Sequence, residues 1–181
     1  MMNRTCIRLA IVGLMLLGLP LTAAAQAPAS KSAAIAKELV QVMESKKLDS
    51  IAAKTPTGEG RYAAALYFPN VQLLVISGQY SAPQLMEPRL AGKQYRDTYM
   101  ELSGTVAPDS KIFVQDMGEP GLSPKKQENL YDTWTQAGKI VMFDGENEKQ
   151  KMSEAEYAKA FAAADEEYAR ILGALLAEAK K

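Results

Sequence analysis

The chain holds 181 residues, with 21 basic and 21 acidic side chains, one cysteine and no histidine. Lacking histidine, it has no Ser-His-Asp triad, no Cys-His pair, no imidazole proton shuttle and no His-ligated zinc or haem. A single cysteine excludes an intrachain disulfide, a Cys-x-x-Cys pair and a thiolate metal cluster, and 48% hydrophobic content argues against disorder.

Residues 1–27, MMNRTCIRLAIVGLMLLGLPLTAAAQA, carry the three parts of a secretory signal. Arg4 and Arg8 give a positive start, and Leu9 to Leu21 is an uncharged stretch too short for a comfortable membrane span. Small residues at Ala23-Ala24-Ala25 suit a signal peptidase, and a cut after Ala25 keeps Pro28 away from the scissile bond. The alternative is an uncleaved N-terminal anchor. Twin arginines are absent, and Cys6 precedes the apolar stretch, so neither a folded-export signal nor a lipoprotein cysteine is expected. The expected product is one periplasmic or secreted domain, residues 26–181, with 19 basic and 21 acidic groups. Its net charge of −2 gives no general attraction to nucleic acid or anionic lipid, and no stable membrane insertion is expected after cleavage.

Within that domain a short polar lead precedes a helix opened by Ser32 and running to about Lys47, with Ile35, Leu39, Val42 and Met43 as its apolar stripe. A weaker strand over 48–54 ends at the turn Pro56 to Gly60. Arg61 to Phe68 and Val71 to Ser77 flank Pro69-Asn70 as a hairpin, and both strands are apolar on two faces. Such strands sit in the middle of a covered sheet or in a barrel wall. Ser81 and Gln84 form a capping box that starts a helix interrupted at Pro88 and continued from Arg89 to Leu102.

Lys111 to Met117 is a further strand, followed by a loop over 118–124. Leu130 to Thr135 and Lys139 to Phe143 form a second hairpin turned at Gln136-Ala137-Gly138. Ser153 and Glu156 box the start of the longest helix, which runs to about Ala179 behind a stripe from Tyr157 to Leu176. With strands grouped in antiparallel hairpins between helices, the class is α+β.

The stretch Ser77-Gly78-Gln79-Tyr80-Ser81 is read as a loop from a buried strand into a helix N-terminus, where free N–H groups suit a phosphate or carboxylate. Ser77, Gln79 and Ser81 supply donors there, and Arg61 or Arg89 supplies charge; a plain capped helix explains the same residues. On the interrupted helix, Lys93, Tyr95, Arg96, Asp97 and Tyr99 form a second cluster, for which helical spacing of core and solvated residues is the simpler account. The run Asp144-Gly145-Glu146-Asn147-Glu148 has its glycine out of register for a calcium loop and reads as a solvated turn. Met142 and Met152 fit the core, and one of Tyr131 and Trp134 should be exposed. Acidic pairs are numerous, and spacing singles out none as an acid–base pair.

The element order, with RYAAALYFPNVQLLVIS leading through GQYSAPQL into a helix, resembles the flavin-binding split-barrel group, the pyridoxamine 5'-phosphate oxidase-like proteins, over residues 32–143. The resemblance implies a small distorted antiparallel barrel, a homodimer, and flavin mononucleotide (FMN) between subunits with its phosphate near Arg61, Ser77 and Gln79. Where that group has a hydroxyl-x-Lys signature, this chain has Ser77-Gly78-Gln79, which fits a member that kept the fold and lost the cofactor. Three functions follow as expectations. The first is an exported, non-catalytic module of split-barrel type that binds a small ligand or serves structurally. The others are an FMN-dependent oxidoreductase and an interaction subunit using the C-terminal helix.

Overall fold

The computed structural model describes residues 30–54, 61–69, 72–79, 112–147 and 151–181. Among them the apolar patterns form α1 (Lys31–Lys46), β1 (Ser50–Lys54), β2 (Arg61–Phe68), β3 (Gln72–Gln79), β4 (Ile112–Asp116), β5 (Asp132–Gln136), β6 (Lys139–Phe143) and α2 (Glu154–Ala179). The six strands make one sheet in chain order, each antiparallel to the next, so the class is α+β as the hairpin pattern indicated. The segment expected to form the interrupted helix, with Ser81, Arg89 and the Lys93–Tyr99 cluster, lies outside the described residues, as does the expected leader. No described helix is long and apolar enough to cross a membrane.

Alternation puts Ala63 and Ala65 of β2, Leu73 and Val75 of β3, Ile112 and Val114 of β4, and Trp134 of β5 on one face of the sheet. Leu39 and Met43 of α1 and Tyr168, Leu172 and Leu175 of α2 pack into the same core cluster. Each fully buried Leu or Ile contributes on the order of 1.5–3 kcal/mol. Ala64, Leu66 and Ile76, on the opposite face, are buried too, so β2 and β3 are covered on both sides. That cover does not extend to β6, where Ile140 is 64% exposed. Of the two aromatics weighed above, Trp134 of β5 is buried, and Tyr131, just before that strand, is exposed.

Several boundaries differ from the sequence reading, each for a local reason. β3 continues through Ser77 to Gln79 because Gly78 and Gln79 still pair with Tyr62 and Arg61. α1 begins one residue before Ser32, with Ser30 at the N-cap position. Its buried side is Ala36, Leu39, Val40 and Met43, with Ile35 and Val42 only partly covered, so the stripe is turned slightly from the expected one. β1 starts at Ser50 because the helix end uses the preceding residues. Lys47 is left-handed, its N–H reaches Glu44 O at 3.1 Å, and Leu48 N–H reaches Met43 O at 2.8 Å, a Schellman closure.

The two helices run in the same direction. The start of α1 lies against Asp165 and its end against Ala179, whose carbonyl accepts from Lys46 Nζ at 2.7 Å. α1 therefore covers α2 only from about residue 165 onward. The first part of α2, residues 154–164, projects beyond the start of α1, and a groove opens beside that overhang.

Candidate functional site

The groove encloses about 450 Å³. Its floor is α2 itself: Tyr157 and Phe161 are buried, while Ala158 and Ala162, on the next turn-matched positions, are exposed and leave the space open. Phe143 of β6 braces both rings edge-on, at centroid distances of 5.8 Å to Tyr157 and 5.2 Å to Phe161. Pro124 and Lys125 form one wall, Gly145 and Asn147 a second, and Lys31 and Glu166 close the end near α1.

Tyr157 fixes both walls through one oxygen. Its hydroxyl donates to Pro124 O at 2.8 Å and accepts from Gly145 N–H at 3.0 Å. Burial, with Asp144 and Asp132 nearby, holds its pKa above the usual phenol value, against the Gly145 hydrogen bond. At the α1 end, Lys31 Nζ pairs with Glu166 at 2.9 Å on an exposed edge. Lys125 Nζ has no ion-pair partner among the described residues and is the cation left open to a ligand.

Asp165 has a different task. Ser30 provides no side-chain cap to α1, and Asp165 replaces it from across the fold. Its Oδ2 accepts from Lys31 N–H at 2.6 Å, and its Oδ1 accepts from Ser32 N–H at 3.0 Å and Ser30 Oγ–H at 2.6 Å. A carboxylate at a helix N-terminus satisfies orphan donors and matches the positive end of the dipole. Ser32 Oγ, released from capping, accepts from Leu122 N–H at 2.9 Å.

Leu122 belongs to the loop after β4, and two further aspartates hold that loop. Asp116 ends β4 and Asp132 starts β5; the ladder pairing Val114 with Trp134 and Gln115 with Thr133 brings them opposite each other at its next step. Both are 0% exposed and lie on the helix-covered face. Asp116 accepts from Gly121 N–H at 3.0 and 2.8 Å and from the Tyr168 hydroxyl at 2.8 Å. Asp132 accepts from Met117 N–H at 2.7 Å and Ser123 N–H at 2.6 Å. Burial raises the Asp116 pKa from 3.8 to about 7, with the Tyr168 and Gly121 bonds pulling the other way. Burial, then the neighbouring Asp116 charge, raises Asp132 to about 8. The two titrate as a pair.

The residues singled out from the sequence fall elsewhere. Arg61 and Gln79 occupy paired backbone positions at one end of the β2–β3 ladder, and Ser77 lies two residues in, opposite Ala63 and Ile112. The ladder thus gathers three of the four, but Ser77 is in a strand and buried rather than in a loop, and Ser81 lies outside the described residues. Sequence reasoning passed over Asp116, Asp132 and Asp165. The available signal was phase: Asp116 follows Ile112 and Val114 at alternate positions, Asp132 precedes Trp134 likewise, and Asp165 sits beside Ala164 in the apolar stripe of α2. The Asp144–Asn147 turn is local, with Glu146 N–H on Asp144 Oδ1 at 2.8 Å, and no group of acids that could hold a metal occurs among the described residues.

No protein-family model, curated protein or solved structure matches this chain.

Proposed function

We propose that the chain is an exported binding module whose ligand site is the groove beside the overhang of α2, and that it binds without turnover. The observation that carries this reading is the groove itself: about 450 Å³ over an aromatic and alanine floor, within the range of small-molecule sites. The fitting ligand is a small amphipathic molecule with a flat or aliphatic body on Tyr157 and Phe161 and an anionic group toward Lys125. Binding rather than catalysis is favoured because the polar groups around the groove are already engaged. Tyr157 bridges two walls, Asp165 caps α1, and Lys31 is paired with Glu166. Export rests on the leader-like residues 1–25.

The test uses 1-anilinonaphthalene-8-sulfonate, an aromatic body with one anionic group. Saturable fluorescence enhancement is expected for the wild-type chain. Ala158→Phe, which fills an exposed position of the floor, should abolish it with far-UV circular dichroism unchanged. Equal binding by that variant, or no saturable binding at all, would overturn the reading.

The flavin reading draws on a separate observation, the pairing of Arg61 with Gln79 beside Ser77 at the ladder end. Titration with flavin mononucleotide separates the two sites: binding that survives Ala158→Phe and is lost in Arg61→Ala belongs to the ladder end.

A further inference from the structure

The loop after β4 is tied to both helices and to two strands beside the groove. Its amides at Met117, Gly121 and Ser123 sit on the two aspartates, its Leu122 amide sits on Ser32 of α1, and Pro124 at its far end holds Tyr157. The fit to α1 is close: a Cβ built on Gly121, at φ +97°, would lie 2.2 Å from Ala33 Cα. The wall of the groove is thus hung on two facing carboxyl groups.

The donors around those carboxyls are three backbone amides and one phenol, none of them charged. Asp132 takes two backbone amides, and Asp116 takes one amide through both oxygens plus a phenol. No lysine or arginine among the described residues hydrogen-bonds or pairs with either. Facing them from α2 are Tyr168 and, farther toward the groove, Tyr157; Asp144 lies past the end of β6 near Tyr157. From β3 the facing residue is Leu73, and α1 contributes Ser32 through the loop. Among the described residues, the titratable groups that act on the pair are acids or phenols. A second negative charge therefore meets repulsion across the strands, with no cation paired to it among the described residues.

We propose that the Asp116–Asp132 pair is a proton-operated latch on the groove wall: with one shared proton the loop is drawn onto both strands, and loss of that proton loosens the loop and the Pro124–Lys125 wall with it. This rests on the groove being the binding site, for which the latch supplies the regulation.

The test needs no ligand. Aspartate carboxyl carbons are followed by NMR from pH 5 to 9, alongside amide-exchange protection factors at Gly121, Leu122 and Ser123. The expected result is a carboxyl step between about pH 7 and 8, with protection at the three amides falling at least tenfold through it. Asp144→Asn should keep the step, and Asp132→Asn should reduce it to the single Asp116 titration near pH 7. Carboxyls that both titrate near the ordinary value of 3.8, or protection unchanged through the step, would overturn the latch. The dye then separates the two proposals. Binding that weakens severalfold from pH 6 to 8.5 supports both. Binding of equal strength at the two values, with no step, leaves the groove reading standing and ends the latch; a step without any dye binding does the reverse.

Discussion

Tyr168 donates its phenol hydrogen to Asp116 Oδ2 across 2.8 Å, joining the middle of α2 to the last residue of β4. The ring is 0% exposed, and burial, with the Asp116 charge beside it, holds its pKa well above 10, so the hydroxyl stays a donor. Tyr168→Phe keeps the ring and deletes the donor. The expected loss is about 1–3 kcal/mol, the range for leaving a buried acceptor short of a partner. The loss should be larger at pH 8.5 than at pH 5.5, because the bond favours the ionised carboxyl. Urea unfolding at the two pH values measures it, and equal losses would contradict the assignment.

Removing the cap at Asp165 exposes three donors at once. Asp165→Ala should cost about 1–3 kcal/mol and raise amide exchange at Lys31 and Ser32, while Asp165→Asn, which keeps one acceptor oxygen, should lose less. Exchange at those two amides is the deciding readout, since a general loss of packing would spread evenly along α1.

Gly121→Ala combines positive φ with a backbone clash at Ala33, so neither a side-chain shift nor a new rotamer relieves it. About 2–4 kcal/mol of destabilisation is expected. In a domain of this size that corresponds to a fall in Tm of roughly 5–15 °C by calorimetry. Gly138→Ala, where nothing lies within 4 Å, should carry only the backbone cost of φ +75°.

Lys47→Gly should do the opposite. Lys47 occupies the left-handed position of the Schellman closure at φ 56°, where a Cβ is unfavourable. A gain of about 0.5–1 kcal/mol is expected in the same unfolding assay, less whatever glycine adds to the freedom of the unfolded chain.

Stability should also decline as pH rises. Asp116 and Asp132 have folded pKa values above the unfolded 3.8, so between about pH 4 and 8 the native state holds more protons than the unfolded one. Their contribution is complete below about pH 4 and is lost as pH passes through 7 and 8, with a limiting slope of about 1.4 kcal/mol per pH unit for each proton. Glu156 and Glu166 act in the other sense. The Ser153 backbone and hydroxyl lower the first, the Lys31 ammonium lowers the second, and their help fades as pH falls below the ordinary carboxylate value. A maximum in the acid range is expected, and Asp132→Asn should flatten the alkaline limb.

Strands were legible in the sequence wherever alternation or a two-faced apolar run met a turn. The β5–β6 hairpin is the clearest case, because Ala137 and Gly138 both take positive φ between paired Gln136 and Lys139. The Ser153–Glu156 box likewise marked the start of α2 correctly. The groove was not legible, since it depends on how far α1 reaches along α2, and no pattern within either helix states that. The aspartates were hidden for a related reason: each looks like an ordinary polar residue until its register neighbour, or a helix 134 residues away in sequence, is known.

The cap on α1 also orders events during folding. Residue 31 is made early and waits for residue 165, and the same last helix supplies Tyr168, Leu172 and Leu175 to the face that the strands turn toward α1. A chain emerging from its N-terminal end can form hairpins, yet it leaves its first helix open at the positive end and its sheet bare until the final stretch arrives. Contacts between such distant segments make folding slow compared with local pairing. Docking of α2 is therefore the step that closes both the cap on α1 and the core.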